Sequence, residues 1–186
     1  PEIVYSAVFA GDLITLLTQA KGAGLVGKPT SPKFMGLFDV DTLRNLGASA
    51  PMGAYAYTRG PFFAIKTPTM TKFVKDYQDR YNIPPSDWAA LAHDSIVAWA
   101  EGVKKAGSFD GDKVSAAMSG MSFDSSRGTL TLRTIDHQVD ASEYEGTLQA
   151  DPTIGFDSFA DAVAVPGKDI LLTEDQVKSA RAAAGG

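Results

Sequence analysis

The chain has 186 residues, 44% of them hydrophobic, and carries a formal net charge of −5. A chain of this length and composition can form one large domain or two small lobes around a packed core. The acidic balance argues against a nucleic-acid or anionic-membrane partner, because such partners need clustered Lys and Arg side chains. The absence of Cys excludes disulfide bonds, thiolate catalysis and Cys-ligated zinc. No membrane-spanning run and no signal-peptide pattern is present, so we expect either a cytoplasmic chain or one whose leader was removed.

The first segment predicts a β-strand that runs directly into a helix. An apolar run over residues 3–9 breaks at Gly11 and Asp12, and apolar residues then recur at helical spacing over residues 13–20. In an open α/β sheet, ligands bind at the loop between such a strand and such a helix. Asp12 and its neighbours are therefore placed for ligand binding. Capping of the helix by Asp12 is the simpler alternative.

The rest of the chain alternates between predicted strands and helices, with a boundary near residues 58–66. Strands are predicted at residues 33–38 and 53–57, with a short helix that Asp41 can cap between them. Later helices are predicted from Thr67 and Pro68 onward, over 87–105 with Ser86 as the cap, over 112–118, and over 174–184 with Thr173 as the cap. The remaining strands are predicted at 128–133 and 143–149.

The ends of the first three strands carry the main candidate site. Parallel strands would bring their C-terminal loops to one edge of the sheet. In chain order these loops contain Phe9, Ala10 and Asp12, then Phe38 and Asp39, then Tyr57 and Arg59. Aromatic walls with carboxylates suit a small ligand that has an apolar body and a positive or hydrogen-donating group. Asp39 is favoured over Asp12 as a ligand contact, because Asp41 occupies the better cap position of the next helix.

Other motifs do not favour nucleotide binding, metal binding or catalysis. Residues 22–28 contain a GxGxxG pattern, but it follows a helix and precedes a strand, which is the reverse of a phosphate-binding loop. We interpret it as a glycine helix stop. The two histidines, His93 and His137, lack metal-ligand spacing, and no Ser lies in a nucleophile elbow. We therefore expect no catalytic residue, metal or cofactor, and an enzyme is the least favoured hypothesis.

A series of short segments carries a family resemblance: VYSAVFAGD (4–12) with LLTQA (16–20) and GL (24–25), FMG (34–36), FVKDY (73–77) with RY (80–81), PSD (85–87) running into AALAHD (89–94), FD (123–124), RGTLTLR (127–133) and DHQ (136–138). In this order they resemble the type I periplasmic binding proteins, specifically the branched-chain amino acid (Leu/Ile/Val) receptor-like family of ABC-transporter substrate-binding proteins.

This resemblance implies an α/β fold of two lobes, each a parallel sheet flanked by helices, joined by three crossings. The chain resembles only the C-terminal half of the family. Residues 1–58 would be the later part of lobe two, residues 62–138 would return to lobe one, and residues 142–186 would cross back to lobe two and end in the C-terminal helix. The N-terminal half of the same protein, with its export signal, would supply the opposite wall of the cleft.

The implied function is the extracytoplasmic solute-binding component of an ABC importer, periplasmic or lipid-anchored, that delivers its ligand to a membrane permease. The resemblance places lobe-two ligand contacts at Phe9 or Ala10 and at Phe38 or Asp39. Amino-acid receptors tend to present a tyrosine and an acid in these loops, so the change to Phe9 leaves aromatic acids and amides open beside amino acids. A cytoplasmic ligand-sensing regulatory domain of the same fold is the alternative.

Overall fold

The computed structural model describes residues 1–159 and 161–185. The strands are β1 (Ile3–Ser6), β2 (Lys33–Leu37), β3 (Tyr55–Thr58), β4 (Ser122–Ser125), β5 (Gly128–Thr131), β6 (Glu143–Thr147) and β7 (Val163–Val165). The α-helices are α1 (Ala10–Gly22), α2 (Val40–Leu46), α3 (Pro68–Tyr81), α4 (Asp87–Ala106), α5 (Gly111–Met118), α6 (Gly167–Ile170) and α7 (Glu174–Ala183).

A five-stranded sheet with the order β1-β2-β3-β6-β7 organises the fold. The strands β1, β2 and β3 run parallel, whereas β6 is antiparallel to β3 and β7 is antiparallel to β6. The chain thus leaves the sheet after β3 and returns beside the same strand. The α/β class, with a parallel layer flanked by helices, is as predicted.

One face of this sheet, which we call the closed face, is covered by α1 and α2. Leu13 and Leu17 lie one helical turn apart on α1, and both are fully buried. They pack with Leu43 and Leu46 of α2 against the sheet. Other members of this core are Phe34, Phe38, Ala54, Ala56, Leu148 and Phe159.

The other face of the sheet, which we call the open face, has no helical layer among the described residues. Side chains on this face alternate with those of the closed face, as the pleat of a strand requires. Its large apolar members are 36–61% exposed, and they are Ile3, Tyr5, Met35, Tyr55 and Val163. Parallel strands are normally covered on both faces, so an apolar layer of this kind is unusual for a surface.

Between β3 and β6 the chain forms the helices α3, α4 and α5 and a small hairpin. Thr67 and Ser86 cap α3 and α4 as predicted, each accepting a backbone N–H from the first helical turn. The hairpin joins β4 and β5, which pair antiparallel, and β4 packs against α4. Gly102 permits the close approach of α4 to α5, because a Cβ there would clash with Cγ of Met118.

The buried side of α4 is not formed by its largest apolar residues. Small residues and two carboxylates face inward: Asp87, Ala90, Asp94, Ala98 and Gly102. The large apolar residues Trp88, Ile96 and Trp99 remain 40–65% exposed. We call these three residues the α4 stripe. None of the helices in the described part of the chain has the length and hydropathy of a membrane span.

Candidate functional site

The C-terminal ends of β1, β2 and β3 meet at one edge of the sheet, as the sequence predicts. In the parallel register Ser6 lies opposite Gly36, and Leu37 lies opposite Tyr57. Because β6 is antiparallel to β3, its first residue, Glu143, also lies at this edge. We call it the cleft edge. Loops after parallel strands are the usual place for ligand binding in α/β folds.

The first loop at this edge presents Phe9 to solvent, with 56% of the residue exposed. Its extended backbone makes Phe9 the N-cap residue of α1, and no side chain caps the helix. The alternative that Asp12 caps α1 is therefore wrong, since Asp12 lies in the exposed first turn. Ala10 has φ +52°, in the left-handed region that alanine rarely adopts. Such strain is concentrated at functional sites in proteins, so this loop is a candidate ligand contact.

The second loop is buried, which differs from the sequence expectation. Phe38 is fully buried, and its ring meets that of Phe34 edge-on at a centroid distance of 6.1 Å. Asp39 is 1% exposed and is itself the N-cap of α2, so the assignment of Asp41 as the better cap is wrong. Its carboxylate accepts the backbone N–H of Thr42 at 2.9 Å and the Thr42 hydroxyl at 3.0 Å. In this structure neither side chain is presented at the surface of the edge.

The third loop contributes a cluster that sequence reasoning did not assemble: Tyr57, Arg59, Trp88 and Glu143, here called the Arg59 cluster. Nε of Arg59 lies 3.3 Å from Oε1 of Glu143, and its guanidinium lies 5.9 Å from the centre of the Trp88 ring. Burial, Tyr5 and the Glu143 carboxylate raise the pKa of Tyr57 to about 12, although Arg59 opposes this shift. Tyr57 is therefore a neutral hydroxyl donor at physiological pH.

Behind the edge, the buried carboxylate of Asp87 joins three segments of the chain. It accepts the backbone N–H of Val40 at 2.6 Å, the Thr58 hydroxyl at 2.8 Å and the backbone N–H of Gly60 at 3.0 Å. Burial raises the pKa of Asp87, and the nearby Asp39 carboxylate raises it further, whereas the three donors lower it. The carboxylate thus connects the start of α4 to the loops that follow β2 and β3.

The histidines occupy ordinary structural positions. The ring of His93 lies 4.7 Å from that of Phe73, and its Nδ1 is 3.3 Å from the Asp94 carboxylate. His137 adopts φ +58° in the turn that follows β5. Among residues 1–159 and 161–185, no group of His, Asp and Glu side chains is arranged to hold a metal ion.

This fold is typical of a class of α/β binding domains. It combines parallel strands, loops that meet at the cleft edge and a chain that returns to the same sheet. A family model described as "Periplasmic binding protein" matches residues 1–150. The chain belongs to this family. No curated protein sequence matches it.

Solved structures show the same fold. An ABC-type branched-chain amino acid transporter protein from Rhodopseudomonas palustris CGA009 is 26% identical, with a TM-score of 0.64, over 88% of this chain and 42% of that one. A solute-binding protein from R. palustris BisB5, in complex with 3,4-dihydroxybenzoic acid, is 24% identical with a TM-score of 0.74, over 88% and 44%. A periplasmic binding protein from Burkholderia mallei is 19% identical with a TM-score of 0.79, over 94% and 46%. The chain thus spans less than half the length of these proteins.

Proposed function

We propose that this chain is the C-terminal half of a non-enzymatic solute receptor that binds a small metabolite at the cleft edge. The observation that carries this proposal is the convergence of three parallel strand ends on one edge, where Phe9 is exposed and Ala10 is strained. Ligand binding between two lobes would select a closed state, and a membrane permease would recognise that state. Membership of the periplasmic binding protein family supports this role.

We further propose that the N-terminal half of the same protein supplies the opposite wall of the cleft. The open face and the α4 stripe both expose large apolar side chains, and burial of such surface contributes roughly 25 cal/mol per Å². Neighbouring structures are more than twice as long as the matched region, which leaves room for a second layer on each surface. The division into lobe two (1–58), lobe one (62–138) and a returning segment (142–186) remains a prediction.

The proposed ligand is an amino-acid-like compound, an aromatic acid or an amide. Phe9 offers an aromatic surface, and Arg59 offers a cation that can pair with a carboxylate. Asp12 and Glu143 supply the negative charge for a ligand amine, since the Asp39 carboxylate is engaged with Thr42. The Ala10 backbone would lie against the ligand. We propose that Phe38 and Asp39 act by holding their loop in place.

The proposed location is extracytoplasmic, either in the periplasm or tethered by a lipid. A cytoplasmic sensor of the same fold is the second candidate, which the sequence left open. The upstream coding sequence distinguishes the two: an export signal or lipobox supports the receptor, and a DNA-binding or signalling module supports the sensor.

Calorimetric titration of the full-length protein with L-leucine, L-phenylalanine, benzoate and benzamide tests the proposal. We expect at least one compound to bind, and Phe9→Ala to weaken that binding by about tenfold, as loss of a buried aromatic contact does at other interfaces. Phe109→Ala is the matched control, because Phe109 is 81% exposed and lies in the α4–α5 loop away from the cleft edge. A folded protein that binds none of the four, or equal effects of the two variants, would contradict the proposal.

A further inference from the structure

Two aspartates on α4 are almost completely buried, and they connect to different parts of the chain. Asp87 is 1% exposed and Asp94 is 2% exposed. Asp94 accepts the backbone N–H of Ser126 at 2.7 Å and Nε of Arg127 at 3.0 Å, so it connects α4 to the turn between β4 and β5. Asp87 has no basic partner in the described residues, and its three donors come from residues 40, 58 and 60.

The three donors to Asp87 flank the cleft edge. Val40 begins α2, directly after the loop of Phe38 and Asp39, and Thr58 and Gly60 bracket Arg59. Gly60 packs directly on α4, because a Cβ there would lie 3.0 Å from Cδ1 of Leu91. A single carboxylate therefore sets the spacing between the first turn of α4 and two of the three loops at the edge.

A second contact also joins α2 to the start of α4. Nη2 of Arg44, on α2, donates to the carbonyl oxygen of Pro84 at 3.0 Å, just before α4 begins. Arg44 lies in the last turn of α2, and its guanidinium is 5.9 Å from the centre of the Phe156 ring. The start of α4 is thus attached to α2 at two places, and Asp87 is the attachment nearest the candidate ligand loops.

We propose that Asp87 is a positioning residue for ligand binding: it holds the loops after β2 and β3 against the first turn of α4, where the chain would cross between the proposed lobes, and so sets the geometry of this part of the edge. The proposal rests on the proposed solute-binding function. Residues that hold a ligand-binding loop in place affect binding without touching the ligand, because they set the geometry in which the loop meets it.

The test uses Asp87→Asn in the full-length protein. An amide has nearly the same shape, but its NH₂ group would face either Val40 N–H or the Thr58 and Gly60 donors, and one buried donor would lose its acceptor. Without ligand, we expect amide hydrogen exchange at Val40 and Gly60 to accelerate by about tenfold or more. With the compound of the four-member panel that wild type binds, we expect affinity to fall by about tenfold.

Asp94→Asn is the matched control, since it lies on the same helix, is equally buried and faces residues 126 and 127 instead. We expect it to accelerate exchange near Ser126 and to leave exchange at Val40 and affinity within about twofold of wild type. Equal effects of both variants on Val40 and on affinity would overturn the proposal. So would faster exchange at Val40 in Asp87→Asn with unchanged affinity.

Thr58→Val provides a milder variant should Asp87→Asn not fold. It removes one donor and keeps the carboxylate, and we expect roughly threefold faster exchange at Gly60, with a smaller loss of affinity. Unchanged exchange in this variant would contradict the positioning role. A wild-type protein that binds no panel compound would refute the proposed function, whereas the exchange measurement would still decide whether Asp87 holds the two loops.

Discussion

The two faces of the five-stranded sheet use the same strands but have opposite surroundings. On β2, Phe34 is 5% exposed and packs against α1 and α2, whereas the next residue, Met35, points to the open face and is 36% exposed. The side chains of the closed face are buried as in a protein core, whereas the large apolar side chains of the open face remain partly exposed. Composition alone therefore does not show which face of a strand is buried in a given chain.

The stability of this chain comes mainly from the closed face. The closed face and its two helices are built from residues 1–58 and are joined by Leu148 and Phe159 from the returning segment. The open face contributes little until another layer covers it, since burial is the source of hydrophobic stabilisation.

The largest expected effect is a difference in the free energy of unfolding between variants of two adjacent residues. Phe34→Ala removes a buried ring from the closed face and should lower the free energy of unfolding by about 3–5 kcal/mol. Met35→Ala should lower it by less than about 1 kcal/mol, because its side chain is partly in water. Urea denaturation of both variants of this chain measures the difference. Similar losses would show that both faces are equally packed.

A charged residue on the open face should change the stability of this chain and of the full-length protein by different amounts. Met35→Lys should change the stability of the 186-residue chain by no more than about 0.5 kcal/mol, as at other exposed positions. In the full-length protein, where we propose that the N-terminal half covers this face, it should cost about 2 kcal/mol or more. Thermal unfolding of the four proteins gives the comparison. An equal effect in both lengths would argue against a covering layer.

The cap of α2 tests how the closed face is held in place. Asp39→Ala should lower the free energy of unfolding by about 1–2 kcal/mol, because the Thr42 N–H loses its acceptor. Asp41→Ala should have an effect below about 0.5 kcal/mol, since Asp41 lies in the exposed first turn. Chemical denaturation of the two variants checks the assignment. A larger loss for Asp41→Ala would restore the cap that the sequence suggested.

The smallest expected effect is on the pH dependence of stability and comes from Tyr57, which lies on the open face. Its pKa is raised from 10.0 to about 12, so its neutral form is favoured by folding. This contribution to stability is fully present below pH 10 and is lost as the pH rises through about 12. The phenolate absorbance of wild type minus that of Tyr57→Phe should therefore show a step near pH 12. A step near pH 10 in the difference would contradict the described surroundings of Tyr57.

Local sequence signals predicted the helix caps correctly where only one nearby residue is suitable as a cap. Thr67, Ser86 and Thr173 each cap the helix that follows, and Thr173 forms a reciprocal capping box with Gln176. The cap of α2 was misassigned because Asp39 and Asp41 are equally suitable in type and lie two positions apart. Only the backbone conformation decides which of them precedes the first helical turn.

The candidate site was less accessible to prediction, since it depends on contacts between distant segments. The alternation of a strand ends at Leu37, so nothing in the sequence shows that Phe38 turns into the core. The pairing of Arg59 with Glu143 requires the register of β3 with β6. The link from Asp87 to Val40 requires the position of α4, whose buried side is formed by small and acidic residues rather than by its largest apolar ones.

The return of the chain to β3 has a consequence for the order of folding. Arg59 and Glu143 are adjacent at the cleft edge, although they lie 84 positions apart in sequence. The sheet is therefore complete only after a long loop has closed. Such closure is slow, because chain entropy is lost before the hydrogen bonds between β3 and β6 form. Meanwhile β3 has a free edge, which makes an early folding species prone to pair with another chain. The sheet that holds the proposed ligand site is thus completed only after the segment containing α3, α4 and α5 has brought β6 back to β3.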